Sequence, residues 1–143
     1  MGKINVVCPH CGGVNAIPLK ESYAKAVCGH CKGSLLETKP LNVDAAAFDR
    51  LMVNDGRLIV VDFWAPWCGP CCSMAPSFEE AARSFPLKAQ FAKINTEEQQ
   101  SLAARFGIRS IPTVIAFKNN RLVDQFSGAL SASEIAKWVR ARL

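Results

Sequence analysis

The sequence predicts an α/β fold in which helices flank a mixed central sheet, preceded by a short cysteine-rich segment. Residues 58–64, LIVVDFW, form an almost continuous apolar run, which is typical of a central strand covered on both faces. Further strand-like runs alternate with helical stripes over residues 41–143. Residues 1–40 contain two CxxC turns and no helical periodicity. A chain of 143 residues, half of them hydrophobic, is long enough for one full core and a small appendage.

The two CxxC turns of the first segment predict a metal site. CPHC at 8–11 and CGHC at 28–31 are separated by sixteen residues, which fits the C-x₂-C-x₁₅₋₂₀-C-x₂-C pattern of zinc sites. One structural Zn²⁺ would supply folding free energy that so short a segment cannot obtain from burial. His10 and His30 are spare candidates, but using either would leave a cysteine unligated. The expected ligands are Cys8, Cys11, Cys28 and Cys31.

Composition changes near Thr38-Lys39-Pro40, so we predict a Cys₄ zinc ribbon at 1–38 and a second domain at 39–143. The element order expected for the second domain is β-α-β-α-β-α-β-β-α. Asp44 is suited to cap the first helix. The next helix is expected to run from the CGPC turn at 68–71 to about Phe85.

Turn and cap residues predict the remaining boundaries. We expect a strand at 89–95 and a third helix that starts at a capping box formed by Thr96 and Gln99. The other boundary residues favour either a positive φ or a helix cap, and they are Gly107, Asn119-Asn120, Ser131 and Glu134.

The third CxxC turn, CGPC, differs from the other two because it follows the central strand directly and opens a helix. Cys68 is then at a helix N-terminus, where unpaired N–H groups and the helix dipole stabilise a thiolate. Cys71 lies one turn further along the apolar stripe and is expected to be the resolving thiol. A third metal knuckle is the alternative, but no partner pair is left to complete it. CGHC at 28–31 is followed by KGSLLE, which does not favour a helix start.

The segments VDFWAPWCGPC and FGIRSIPT resemble the thioredoxin family, and the resemblance covers residues 40–143. The two N-terminal CxxC turns, which we call the knuckles, narrow the resemblance to zinc-containing bacterial thioredoxins of the thioredoxin 2 type. The resemblance implies a thioredoxin fold and a protein-disulfide reductase with no bound organic cofactor. It also implies two kinds of partner, disulfide-containing target proteins and the NADPH-dependent thioredoxin reductase.

Asp62 lies in the middle of the apolar strand, where burial should raise its pKa. A carboxyl group with a raised pKa near the turn can accept the proton of Cys71. The resemblance places the family's buried aspartate at this position. The alternative is a structural carboxylate bound by backbone groups. Lys93, on the neighbouring strand, is either its charged partner or a solvated lysine at a strand end.

The resemblance further implies a substrate-binding surface around CGPC. Ile111-Pro112 would be a cis peptide facing the turn, and the Ile111 backbone would pair with an extended target. Four more residues are expected to shape this surface: Trp67, Gly69, Pro70 and Gly128. Cys72 departs from the family, where a basic residue is common, and we expect an exposed thiol. It is interpreted as a neutral substitution, with a dedicated redox role as the alternative.

Charge and composition indicate which partners and which cellular compartment to expect. The net charge is +5, with +3 in residues 1–40, and four zinc-bound thiolates would reduce that segment to about +1. We therefore expect no nucleic-acid partner. No apolar run is long enough to span a membrane and no leader is visible, so we expect a cytoplasmic monomer in a reducing compartment. Two other function classes stay open: a zinc-ribbon binding module that delivers the second domain, and a redox-regulated chaperone that releases zinc on oxidation.

Overall fold

The computed structural model describes residues 2–143. Two sheets are present in these residues, a two-stranded sheet β1-β2 and a five-stranded sheet in the order β3-β5-β4-β6-β7. The strands are β1 (Lys3–Val7), β2 (Val14–Pro18), β3 (Leu41–Asn42), β4 (Leu58–Trp64), β5 (Ala89–Asn95), β6 (Thr113–Lys118) and β7 (Arg121–Ser127). The helices are α1 (Ala45–Asn54), α2 (Gly69–Ala82), α3 (Gln100–Arg105) and α4 (Ala132–Arg140). The predicted element order and mixed sheet are confirmed.

The central strand β4 explains the apolar run in the sequence. It pairs in parallel with β5 and antiparallel with β6, and helices cover both of its faces. Ile59, Val61 and Phe63 pack in one core with residues of α1 and α3. Leu58 and Val60 pack in a second core with residues of α2 and α4. Because side chains alternate along a strand, Asp62 points to the α2 face.

Most of the predicted caps and turns are confirmed. The Asp44 side chain accepts a hydrogen bond from the Ala47 N–H at 2.9 Å and caps α1. Ser131 and Glu134 form the reciprocal capping box at the start of α4. The three predicted turn residues have the positive φ that their positions require, and these are Gly107 (60°), Asn119 (52°) and Asn120 (62°).

Two predicted helix boundaries are wrong. The third helix begins at Gln100 rather than at Thr96, and Gln99 makes no side-chain cap. The Asn95 side chain accepts from the N–H groups of Glu97 and Glu98 and holds residues 96–98 as a turn. Likewise α2 ends at Ala82, because residues 83–85 donate to carbonyl groups only three residues back.

The N-terminal sheet is attached to the rest of the molecule by a buried polar cluster. A carboxylate oxygen of Asp55 accepts from the Val7 N–H at 3.0 Å and from the Arg57 guanidinium at 2.7 Å. Arg57 also donates to Gln90 at 3.2 Å. Asp55, Arg57 and Gln90 are each at most 4% exposed. The strand β1 is therefore joined to the start of β4 through charged groups shielded from water.

Apolar contacts cross the same boundary. Val7 belongs to the main core beside α1, and Leu87 packs in the core of the N-terminal segment with Val6 and Ile17. The division of the chain at residue 38 stays a prediction. None of the described helices has the length and apolar character needed to cross a membrane.

The Asp55 cluster generates a stability prediction. We expect Asp55→Ala to lower the free energy of unfolding by about 3–5 kcal/mol, because Arg57 would keep a buried charge without its partner. Asp49→Ala is the matched control, since Asp49 pairs with Arg105 at the surface and its side chain is 59% exposed. Its loss should cost less than about 1 kcal/mol. Denaturant titration at neutral pH measures both, and equal effects would contradict the role assigned to the cluster.

Candidate active site and metal centre

The sulfur of Cys68 lies where β4 gives way to α2. Cys68 is the N-cap residue of α2, and its Sγ accepts a hydrogen bond from the Cys71 N–H at 3.2 Å. Gly69 and Pro70 occupy the first helical positions, where the missing N–H of proline leaves no hydrogen bond unmade. Cys68 and Cys71 are joined as a disulfide, with their Cα atoms 5.3 Å apart. In the reduced state, the same N–H and the helix dipole favour a thiolate at Cys68.

The two sulfurs differ in how far they can be reached. Cys68 is 5% exposed and Cys71 only 1%, and both pack with Ala65. Trp64 is half-buried against the same cluster. A target can therefore approach Cys68 more readily than Cys71.

A second loop supplies the surface beside Cys68. The Ile111-Pro112 peptide is cis, and the Ile111 carbonyl oxygen lies 3.7 Å from the Cys68 Sγ. The Gly128 N–H donates to the Pro112 carbonyl at 2.9 Å. Apart from the two chain neighbours of Gly128, no heavy atom lies within 4 Å of the point that its Cβ would occupy, so the space on that side of Gly128 is open.

Trp67 forms an exposed apolar surface next to the nucleophile. Its side chain is 68% exposed, and its indole N–H donates to the Glu97 carboxylate. Glu97 was missed by the sequence reasoning, which assigned residues 96–99 to a helix start. Cys72 is exposed as expected, and its Sγ lies 3.5 Å from the Pro66 carbonyl oxygen.

Asp62 is fully buried on β4, on the face of the sheet that α2 covers. Neither carboxylate oxygen has a hydrogen-bond partner in the described part of the chain. The backbone hydrogen bonds expected for a purely structural carboxylate are therefore not made by these residues. Burial raises the pKa of Asp62 to about 7, and the Lys93 charge acts in the opposite direction. Lys93 is the register partner of Asp62 on β5, but its Nζ lies over the Trp64 ring, 4.5 Å from the centroid.

The four N-terminal cysteines converge on one point. Their Sγ atoms all lie within 4.8 Å of one another, which is close enough to bind a metal ion. Two of the sulfur–sulfur separations are 3.7 Å, between Cys8 and Cys31 and between Cys11 and Cys28. Each sulfur also accepts a backbone N–H, and the four donors, at 3.3–3.4 Å, are His10, Gly13, His30 and Gly33. The set fits the closed thiolate tetrahedron that zinc prefers.

Hydrogen bonding favours a thiolate within this cluster. The Cys31 N–H and then the Asn15 side-chain amide lower the pKa of Cys28 to about 5. Asn15 also accepts from the Gly29 N–H at 2.8 Å, so its amide is held in place. These hydrogen bonds favour the anionic form of Cys28, the form in which a cysteine binds a metal ion.

The two histidines brace the two knuckles against each other. The His10 Nε2 lies 3.1 Å from the Ser34 carbonyl oxygen, and the His30 Nε2 lies 3.3 Å from that of Val14. Each ring covers a glycine of the opposite knuckle, since a Cβ on Gly13 would meet His30 at 2.7 Å and one on Gly33 would meet His10 at 2.8 Å. Neither histidine is a member of the four-residue metal-ligand cluster found among the described residues.

A family model described as Thioredoxin matches residues 39–141. The chain belongs to the thioredoxin family. It is accordingly a thiol–disulfide oxidoreductase, and its relatives support protein-disulfide reductase activity. The predicted thioredoxin fold is confirmed, with a four-cysteine cluster in its N-terminal region.

Similarity to one individual thioredoxin extends over nearly the whole chain, and other matches cover about two thirds of it or more. Thioredoxin C-3 of Corynebacterium nephridii is 36% identical over 138 residues, which cover 96% of this chain and 94% of that one. The similarity therefore reaches into the cysteine-rich segment. Thioredoxin 2 of Chlorobaculum tepidum is 44% identical over 90 residues, covering 63% and 83% of the two chains. The X-ray structure of Fasciola hepatica thioredoxin matches with a TM-score of 0.65 at 34% identity, over 72% of this chain and 99% of that one.

Asp62 generates a prediction about pH. Its pKa is higher in the folded chain, about 7 against 3.8, so the folded state binds more protons between those values and stability falls as pH rises through them. We expect Asp62→Asn to raise the free energy of unfolding of the oxidised protein by roughly 2–4 kcal/mol at pH 8 and to change it little at pH 4. Denaturant titrations at the two pH values measure the difference.

Asp49→Asn is the control for this experiment, because Asp49 is exposed. It should show no such pH-dependent gain. An Asp62→Asn protein with the same stability increment at both pH values would contradict a raised pKa at Asp62.

Proposed function

We propose that this thioredoxin-family chain reduces protein disulfides through the Cys68-Cys71 dithiol. The observation that supports it most is the position of the Cys68 Sγ, which caps α2 and lies 3.7 Å from the Ile111 carbonyl oxygen. The sulfur is stabilised as a nucleophile by the helix N-terminus. The neighbouring backbone of Ile111 offers hydrogen-bonding groups to an extended target.

The reaction proceeds in two exchanges. The Cys68 thiolate attacks one sulfur of the target disulfide, forming a mixed disulfide and releasing the other target sulfur as a thiolate. The Cys71 thiolate then attacks the Cys68 sulfur, forming the Cys68-Cys71 disulfide and releasing the second target sulfur. Two electrons pass to the target, and the chain ends in the disulfide form that the structure describes.

Asp62 is the proposed acceptor of the Cys71 proton. It lies on the face of the sheet that α2 covers, and a pKa of about 7 suits a base that works near neutral pH. Trp67, Gly69, Pro70, Ile111, Pro112 and Gly128 are the proposed substrate-binding residues. Trp67 supplies apolar surface, while the open space beside Gly128 admits the target chain.

The oxidised dithiol must be reduced again for turnover. We assign this step to an NADPH-dependent thioredoxin reductase, as the family resemblance implies, and we place the protein in the reducing cytoplasm. Cys8, Cys11, Cys28 and Cys31 would hold one Zn²⁺, which would cross-link the two knuckles and stabilise a segment with a small core of its own. The binding-module and chaperone alternatives are less favoured, because neither explains a CGPC turn at a helix N-terminus.

The assigned sulfurs predict distinct variant phenotypes. We expect Cys68→Ser to lower the rate of insulin disulfide reduction to background, because no other sulfur caps α2. Cys71→Ser should instead accumulate a covalent complex with target proteins, since the second exchange is blocked. Non-reducing electrophoresis and an insulin turbidity assay distinguish the two.

Cys72→Ser is the matched control for both variants, because Cys72 is exposed and next in sequence to Cys71. Its activity should equal that of the unmodified chain. Reduction of insulin by Cys68→Ser at the unmodified rate would refute the assignment.

The metal proposal predicts about one zinc per chain, measured by atomic emission on protein purified without added chelator. Cys11→Ser should lose the metal, and the ribbon amides should then exchange their hydrogens faster because the cross-link is gone. Cys72→Ser should keep its zinc. A Cys11→Ser protein with unchanged zinc content would contradict the four-cysteine ligand set.

A further inference from the structure

The strand β1 has a free backbone edge, and hydrogen bonds on either side of the strand show which groups face it. Toward β2, the Leu19 N–H donates to the Gly2 carbonyl, and the Cys8 N–H donates to the Gly13 carbonyl. The backbone N–H and carbonyl groups of even-numbered residues in β1 therefore point toward β2. Those of odd-numbered residues point to the opposite side of the strand. We call this opposite side the outer edge of β1.

Only part of the outer edge is used within the chain. The Val7 N–H is bound by Asp55, and the Asn5 carbonyl accepts from the Gly56 N–H at 2.8 Å. Among the hydrogen bonds of residues 2–143, none engages the Lys3 N–H, the Lys3 carbonyl or the Asn5 N–H on this side. These groups recur at a two-residue spacing of about 7 Å, which is the repeat of an extended chain.

The unused part of the edge opens onto a groove, which we call the β1 groove. The groove has a volume of about 500 Å³ and is bounded on the far side by the β6–β7 turn at Lys118 and Asn119. Its apolar surface comes from Leu19, 53% exposed, and Val53, 73% exposed. Val53 is the most exposed large apolar side chain in the described part of the molecule.

The charge of the β1 groove is positive. Lys3 and Lys118 are exposed at its rim and form no ion pair with any described residue. The acidic residue of the lining is Asp55, which is buried and neutralised by Arg57. A smaller cavity of about 230 Å³ shares Ile4 and Leu19 with the groove and adds Lys20 and Lys88.

We propose that the β1 groove binds an extended, acidic segment of a partner protein, which adds a strand to the outer edge of β1. The segment's backbone would pair with Lys3 and Asn5, its apolar side chains would cover Val53 and Leu19, and its carboxylates would face Lys3 and Lys118. Exposed strand edges are usually covered or blocked in monomeric proteins, and here a lysine rim would repel basic strands and attract acidic ones.

Two other occupants fit the groove less well. A DNA strand could place phosphates near the lysines, but its sugar-phosphate backbone has no donor for the Lys3 carbonyl. A second copy of this chain would bring its own Lys3 and Lys118 to the groove, and its net charge of +5 would add repulsion.

The groove is remote from the dithiol. Gly56 precedes β4 and Cys68 follows it, so the seven residues of β4, about 23 Å of extended chain, separate the two sites. Lys118 likewise ends β6, whose first residue follows Pro112. A bound partner would therefore leave the surface around Cys68 open, and the proposal is independent of the role assigned to the dithiol.

The test begins with a random peptide display library selected on the full-length, zinc-loaded chain. Enriched peptides are synthesised with a fluorophore, and their affinity is measured by fluorescence polarisation. We expect net-negative peptides whose affinity falls at least about tenfold for the Lys3→Glu/Lys118→Glu variant, because each rim lysine would become a repelling charge. In hydrogen exchange, the bound peptide should protect the Asn5 amide.

Lys25→Glu/Lys137→Glu is the matched control, with the same change in net charge on exposed lysines outside the groove. Its affinity should stay within about twofold of the unmodified chain. Equal affinity of the two double variants, or an Asn5 amide that exchanges as fast with peptide as without it, would overturn the proposal. Displacement of the peptide by an oligothymidine strand would overturn it as well, by assigning the groove to nucleic acid.

Discussion

The hydrogen bond from the Cys71 N–H to the Cys68 Sγ is the interaction on which the active site depends. It exists because three residues connect the end of a strand buried on both faces to a helix cap, and both elements are held by the core. β4 is paired along its length on both sides, and α2 packs on it through a stripe that includes Met74 and Phe78. The position of the reactive sulfur is thus set by hydrophobic packing, and its charge state by the unpaired donors of the first helical turn.

Asp62 shows the opposite relation between packing and chemistry. A carboxyl group on this face of β4 opposes burial, and an apolar residue there would pack without desolvating a charge. The proton-accepting role proposed for Asp62 gives the cost a physical reason, because burial is what moves its pKa to about 7. Lys93 moderates the effect from the neighbouring strand without contacting the carboxylate. The stability lost at this position is a consequence of the same environment that tunes it.

Local signals in the sequence were sufficient for much of the fold. The bounds of β4 and β5 follow from apolar runs, and the caps at Asp44 and Ser131 follow from side-chain chemistry that acts within three residues. The start of α3 could not be predicted in this way. Thr96 and Gln99 have the right spacing for a capping box, but the Thr96 hydroxyl bonds to the Trp64 carbonyl. That contact spans thirty-two residues and is invisible to a local pattern.

The same distinction between local signals and distant contacts separates the residues of the candidate site that could be predicted from those that could not. The sulfurs and Asp62 were identifiable because their residue types are unusual in their local context, whereas Glu97 and the Asp55-Arg57-Gln90 cluster have ordinary local surroundings. Their roles arise from contacts between distant segments, such as the Gln90 oxygen that accepts from Arg57 across thirty-three residues. Residue types that are common at protein surfaces give no warning that a fold will bury them.

The buried cluster at Asp55 also has a consequence for protein engineering. The N-terminal sheet shares contacts with the rest of the molecule, because the Val7 side chain fills part of the main core and the Val7 N–H donates to the Asp55 carboxylate. Grafting the cysteine-rich segment onto a thioredoxin that lacks one would therefore require transplanting Asp55, Arg57 and Gln90 with it. In a chimera that carried over the metal-binding turns alone, the Val7 N–H would be buried without the Asp55 carboxylate that accepts its hydrogen bond.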